Sequence, residues 1–371
     1  MKQINFLFLS FLLILFSCNP QKEAASVEEE KETVDISKMK RFDNVNEIIP
    51  DEFIRERKYI KLTSTDDDYL FKEINKVKLV IDQLFILDGR SKNLLVFDMN
   101  GVSKAKIGAK GNGPNEYIDI ADFDIDSHGN IYTIDGRQNK LFIYNPDYSL
   151  KNIQSLPFEA DILSVTKDDK IIFGLSAWNK GENEGASIII TDENLKTLEV
   201  LAYYDEYVDN AFWVSHYSFV KTEKHIVYNK PINNDILLFT KKGVLEKVVV
   251  FDFGKKNVPL EQRKDIERNL QNFNSYSLLK WITIVDDNFL IGTFWENRET
   301  KSFFIDRKKS EMFVSNSTTD RDIGNVAGFD GKTLIKFINP GSERADENTL
   351  PKDIVKHLNN GDFVLCIYEL T

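Results

Sequence analysis

Two stretches of this chain align without a gap at an offset of about 47 residues. Leu84–Asp98 reads LFILDGRSKNLLVFD and Ile131–Asn145 reads IYTIDGRQNKLFIYN. Asp88-Gly89-Arg90 recurs as Asp135-Gly136-Arg137, and Leu94 recurs as Leu141. A further step lands on Ile188–Asp192, and the next on Ile236–Thr240. Two wider steps reach Phe303–Asp306 and Val364–Tyr368. Six short apolar strands argue for six units. Several units carry a second strand just upstream: Ile131–Ile134, Lys170–Phe173, Ile226–Tyr228, Phe289–Thr293 and Leu334–Phe337. Ala121–Ile125 reads as a third kind, ahead of the Asp126–Asn130 turn. The runs are rich in Ile, Val, Phe and Tyr and bounded by Gly, Asn, Asp and Lys, which is strand-and-turn chemistry.

A unit of three or four short strands cannot bury both faces of its own sheet. Stacking such units in a ring buries those faces and leaves no long open edge. The period therefore predicts an all-β fold, a six-bladed β-propeller with short helical insertions. The insertions account for the wide steps: a helix over 258–271, with Leu260, Ile266 and Leu270 on one face, and another over 351–359, stopped by Asn360-Gly361. Lys58–Leu62 is the expected closing strand, added to the blade that ends the chain.

Composition narrows function mainly by exclusion. The formal net charge is -11 and basic blocks are absent, which argues against nucleic acid as a partner. Two cysteines cannot make a disulfide scaffold or a thiolate-rich metal site. The histidines are His128, His216, His225 and His357; no H-x-H, H-E-x-x-H or G-x-S-x-G pattern occurs. No cofactor and no metal site is expected on this reading.

The N-terminus speaks to location. Lys2 precedes the apolar run Phe6–Phe16, which has the length of a signal-peptide core and is too short to span a bilayer. Leu15-Phe16-Ser17-Cys18 resembles the bacterial lipobox, with Phe16 where a small residue is commoner. The resemblance implies removal of residues 1–17 and a diacylglyceryl anchor on Cys18. Residues 18–52, with Glu28-Glu29-Glu30-Lys31-Glu32, then read as an anchored, acidic, mobile tether, and 53–371 as the propeller. The implied location is the cell envelope, at the outer membrane, facing either periplasm or exterior.

One string is more specific. Leu94–Gly108 runs through Asp98-Met-Asn-Gly101 to Ile107-Gly108, followed by Gly111-Asn-Gly-Pro-Asn-Glu-Tyr117 and Phe123-Asp-Ile-Asp126. This succession resembles the six-bladed propeller lipoproteins of Bacteroidota, which are similar to NHL-repeat and TolB-type propellers. The resemblance covers residues 55–371 and implies fold and envelope location, with no catalytic residues to carry over. Some propellers of this kind are lactonases or lyases that hold a divalent metal in the central channel. An oxygen-ligand, Ca-type hydrolase is therefore the alternative to a binding or scaffold module.

The candidate residues divide accordingly. Gly108, Gly111, Gly113, Pro114, Glu116 and Tyr117 form a glycine-rich stretch without the Lys-Ser/Thr of a phosphate loop, and read as a structural crossing between blades. Asp88 and Asp135 read as turn residues, with an acidic ring at the pore as the alternative. Arg90 and Arg137 are either ligand contacts or surface groups. Cys366 reads as core packing. The aromatic run Tyr203, Tyr204, Tyr207, Phe212, Trp213 and Tyr217, with Trp178, Trp281 and Trp295, is the candidate ligand surface, able to stack on a glycan or grip a peptide; inter-blade packing is the alternative. The pattern favours binding over catalysis, with the membrane, an envelope protein, a peptide or a glycan as partner.

Overall fold

The structure is a computed structural model that describes residues 30–45, 47–205, 219–229, 233–265, 273–315, 326–340 and 350–371. Six antiparallel sheets stand around one axis. Blade 1 is Lys76–Val80, Gln83–Asp88, Asn93–Asp98 and Ser103–Lys106; blade 2 is Asp122–Ile125, Ile131–Asp135, Lys140–Tyr144 and Leu150–Ser155. Blade 3 is Ala160–Val165, Ile171–Leu175, Ala186–Thr191 and Thr197–Tyr203, and blade 4 is Val220–Thr222, His225–Asn229, Asp235–Thr240 and Leu245–Asp252. Blade 5 is Leu278–Val285, Phe289–Glu296, Glu299–Asp306 and Glu311–Ser315. Blade 6 is Val326–Gly331, Thr333–Ile338 and Val364–Leu370, completed by Ile54–Lys61 from the N-terminal side. The closing strand is thus the one the sequence predicts, paired Val364↔Lys61 through Leu370↔Ile54. All six apolar strands of the repeat are third strands, and the five upstream strands are second strands.

The core lies in the seams between blades. Phe123, Phe142 and Tyr144 fill the seam of blades 1 and 2, and Phe251, Phe289, Phe294, Phe303 and Phe304 fill those flanking blade 5. These rings are essentially fully buried, each contributing about 2–3 kcal/mol of apolar burial. Cys366 is buried in a blade 6 strand. The predicted helix near 351–359 is Lys352–Asn359, whose Ile354 and Leu358 pack on Ile338 and Val364. Over 258–271 the described part is a 3-10 segment, Leu260–Asp265, and Leu260 is 71% exposed. Leu260 is therefore no part of an inward face; Val258 packs there instead, with Phe273 and Leu278.

The ring takes in more of the N-terminal side than the sequence predicts. The expected mobile tether gives way at Glu30 to strand. Glu30–Asp35 adds a parallel fifth strand to the outer edge of blade 4, registered Glu30↔Lys247 to Asp35↔Asp252. Lys40–Asp43 does the same on blade 5, from Lys40↔Glu311 to Asp43↔Val314. Val34, Ile36, Ile48 and Ile49 are buried in the adjoining core. Residues 30–52 thus form a strap across blades 4, 5 and 6. Its acids carry their partners in the ring: Glu30 and Glu32 pair with Lys247, each at 3.0 Å, and Glu32 also pairs with Arg307.

The two faces of the ring differ. On the turn face, connections between first and second or third and fourth strands run to at most five residues, as in 126–130 or 241–244. On the loop face lie the long connections 62–75, 107–121 and 176–185, and the described ends of those that leave at Tyr204, Phe253 and Asn339.

Candidate functional site

Inner strands alternate between the channel and the seams. On Lys76–Val80, Val77 enters the apolar seam while Lys76 and Lys78 turn to the axis; on Asp122–Ile125, Phe123 and Ile125 are core while Asp122 and Asp124 face the axis. This is the period of two expected of strands. Neighbouring blades then meet charge to charge. Lys76 Nζ donates to Asp122 Oδ1 at 2.7 Å and to the Phe123 carbonyl at 2.7 Å. Lys78 pairs with Asp124, and Lys221 of blade 4 reaches Asp124 Oδ2 at 2.6 Å.

The same side chains satisfy the open inner edges of the sheets. Asp122 Oδ2 accepts from the Leu163 amide at 3.1 Å, and Asp124 Oδ2 from the Val165 amide at 2.7 Å and the Ser164 hydroxyl at 3.3 Å. Lys221 Nζ donates to the Val165 carbonyl at 2.8 Å. Burial alone would raise Asp124, but Lys221 and Lys78 more than offset it and hold the carboxyl below the usual range. Burial raises Asp122, with Lys76 opposing. Burial pushes the Lys221 ammonium down to about 8 despite Asp124.

The described lining of this cavity comes from blades 1, 2, 3, 4 and 6. Blade 5 stands back from the axis, because the inner strands of blades 4 and 6 pair directly, Lys221↔Asp330 and Thr222↔Gly331. The cavity is about 20 Å³, room for a water molecule and far below a substrate pocket. A Ca-type ion would need six to eight oxygen ligands. Here the carboxylates are committed to ammonium groups and backbone amides, so the channel residues do not fit such an ion.

Other predicted residues resolve as follows. Asp88 Oδ1 accepts from the Arg90 and Ser91 amides at 2.9 and 3.0 Å, and Oδ2 from Lys72 N at 2.9 Å. Asp135 repeats this with Arg137 and Gln138, and with Ile118 N at 2.7 Å. These are turn caps, buried and away from the channel lining; Arg90 and Arg137 are exposed. The glycine-rich stretch closes on itself: Gly113 N donates to Glu116 Oε2 at 2.8 Å and Gly111 N to the Tyr117 carbonyl at 2.9 Å. Gly108 holds φ +70° under Tyr144 and Tyr117, where a Cβ would lie 2.3 Å from the Tyr144 hydroxyl. Pro114 sits in the turn that Glu116 gathers.

Among the aromatics, Tyr203 is 60% exposed on the loop face, whereas the Tyr204 hydroxyl donates to the Leu175 carbonyl at 2.5 Å and its ring packs against the cluster of Ala177, Val258, Phe273 and Leu278. Tyr207, Phe212, Trp213, Tyr217 and Cys18 lie outside the described residues. Trp178 donates to the Glu159 carboxylate nearby. Among the described residues Asp126, His128 and Asp169 approach one another on the turn face, but Asp126 already accepts from His128 N, Asn130 N and Asn130 Nδ2.

A second buried charge cluster went unread in the sequence. Glu296 of blade 5 is chelated by Arg41 of the strap at 2.6 and 3.1 Å, by Lys256 at 2.9 Å and by Lys301 at 3.1 Å. Burial would raise its carboxyl, but these cations hold it well below the usual range.

With blades, strap and channel in place, the sequence matches a family profile described as a 6-bladed beta-propeller, DUF5128, over residues 28–334. The chain belongs to this family. The matched span begins beside the strap, so the strap lies within the family's propeller unit. No curated protein matches the sequence. Among solved structures, a Bacteroides fragilis protein described as exported is 18% identical, with a TM-score of 0.70 over 91% of this chain and 100% of its own. That likeness shows the fold. A DUF4221 member from Bacteroides vulgatus is 12% identical over 88% of this chain and 98% of its own, TM-score 0.44. Virginiamycin B lyase from Staphylococcus aureus is 13% identical over 72% and 75%, TM-score 0.41.

Proposed function

We propose that this DUF5128 propeller is an exported, lipid-anchored module of the bacterial envelope that binds a partner on its loop face. The carrying observation is the division of labour between channel and faces. The channel is filled by lysine–aspartate pairs, while among the described residues the connections 62–75, 107–121 and 176–185 open on one side of the ring. A rigid platform with its variable connections on one face is the usual arrangement for a binding module. Export is supported by the signal-like N-terminus, by the lipobox-like Cys18, and by the description of the Bacteroides fragilis structure as an exported protein. Tyr203, exposed on the loop face, suits stacking on a glycan or packing against a peptide of an envelope protein.

The test immobilises the full chain and probes it with a glycan array and with solubilised envelope proteins, alongside Tyr203→Ala. Ligand capture that weakens several-fold in Tyr203→Ala is the expected result. Capture that is indifferent to loop-face substitutions but lost on turn-face substitutions would overturn the assignment of the face. Stoichiometric calcium that survives dialysis and whose removal abolishes a hydrolytic activity would overturn the binding reading itself.

A further inference from the structure

The strap fixes where the chain enters the ring. Glu30 pairs with Lys247, three residues beyond Val244 of the turn-face connection 241–244, so the strand Glu30–Asp35 starts at the turn-face rim of blade 4. Resting on the lipid-anchor reading of Cys18, only about twelve residues separate the anchor from that rim. Fully extended, they span at most about 40 Å. The expected tether of residues 18–52 would have reached about three times as far.

The same face displays aliphatic side chains, as the loop face does at Leu70 and Leu260, 58% and 71% exposed. Ile81 is 89% exposed at the blade 1 turn, and Val244 58% at the blade 4 turn. Leu198 and Leu150, 49% and 37% exposed, follow the turn-face connections of blades 3 and 2. Ile81 also holds φ 55°, a left-handed conformation that is exceptional for a β-branched residue. That conformation is what the first residue of a two-residue hairpin turn takes, so the turn accounts for it, and Ile81 enters here as an exposed aliphatic.

We infer that the turn face lies against the bilayer surface that holds the anchor, with Ile81, Val244, Leu198 and Leu150 entering the headgroup region. Four aliphatic side chains bind a membrane weakly by themselves. A short leash makes that contact intramolecular, at a millimolar-range effective concentration, so weak insertion suffices. The loop face then points away from the membrane, toward partners.

The test uses the full chain, expressed with its own signal and reconstituted in phosphatidylethanolamine/phosphatidylglycerol vesicles. Environment-sensitive labels are placed at Ile81→Cys, Val244→Cys and, on the loop face, Leu260→Cys; all three positions are exposed, and Cys366 is buried. Doxyl-lipid quenching several-fold stronger at 81 and 244 than at 260 is expected. Mass analysis of the N-terminal peptide separates the two readings. Acylated Cys18 with equal quenching at all three sites, or stronger quenching at 260, overturns the orientation and leaves the anchor standing. Unmodified Cys18 overturns the anchor and the orientation together.

Discussion

Asp124→Asn removes the carboxylate that both Lys78 and Lys221 bond in the channel, with Asp330 left as the acidic neighbour of each. Asparagine keeps the shape and can still accept from the Val165 amide, so little packing is lost. What changes is charge: two buried ammonium groups lose their counter-ion. Breaking a buried pair in this way costs about 3–5 kcal/mol. At about 2.1 cal/mol/K per residue, a cooperative ring of this size loses about 0.7 kcal/mol per degree, so the melting midpoint should fall by about 4–7 °C. The pH dependence gives a second handle. Lys221 already sits at about 8 in the folded protein, below its unfolded value, because burial disfavours its charged form. A lysine lowered on folding makes stability rise with pH through the folded value. Without Asp124 the lowering deepens, so the deficit of the variant should be largest near pH 6–7 and shrink toward pH 9. Asp124→Asn with Lys221→Met should recover part of the loss, because one stranded charge is gone. Urea denaturation of the wild type and both variants at several pH values measures this. A cost below about 1 kcal/mol at pH 7, or a double variant no better than the single, would refute the account of the channel as an obligatory ion-pair plug.

Further outcomes follow from three other positions. Glu296→Gln leaves Arg41 with Asp43 alone and strands Lys256 and Lys301, and should cost about 2–4 kcal/mol, discounted for the partial exposure of Arg41 and Lys256, with faster amide exchange over Lys40–Asp43. Because Glu296 is held below its unfolded value, wild-type stability should decline as pH falls below about 4.5, and the variant should decline less steeply. Gly328→Ala would place a Cβ 2.1 Å from the Val77 carbonyl oxygen, forcing blades 6 and 1 apart; loss of at least about 2 kcal/mol by denaturant titration is expected. Gly108→Ala meets both the left-handed backbone and the Tyr144 hydroxyl, and should lower the thermal midpoint while leaving surface substitutions such as Arg90→Ala without effect.

The ring was legible because third strands are buried on both faces and read as unbroken apolar runs. The strap was not. An edge strand such as Glu30–Asp35 buries little, and its charges are answered by Lys247 and Arg307, which lie more than two hundred residues away in the chain. Polar composition therefore imitated a tether. The channel was half-legible. Lys76 and Lys78 precede Asp122 and Asp124 by 46 residues, one repeat, so opposite charges occupy equivalent places on adjacent blades. Lys221 lacked that cue, since the carboxylate it pairs with lies two blades back, on blade 2. The aromatic candidates Tyr203 and Tyr204 differ by one position along a strand end, and that single step sends one ring outward and the other into the seam.

The strap also sets how the protein bears load. Glu30–Asp35 lies parallel to its neighbour over six registered pairs and begins at the turn-face rim. Take a pull on Glu30 along the strand axis, away from Asp35. The pairs are then loaded together in shear and cannot open one after another like a zip. The same sheet continues through blade 4 into blade 6 and ends on the closing strand beside the last strand of the chain. Tension applied at Glu30 is thus shared by a belt of nine strands that reaches from Glu30–Asp35 to Val364–Leu370 and the closing strand, and the ring can be held at one point on its rim without its seams being prised apart.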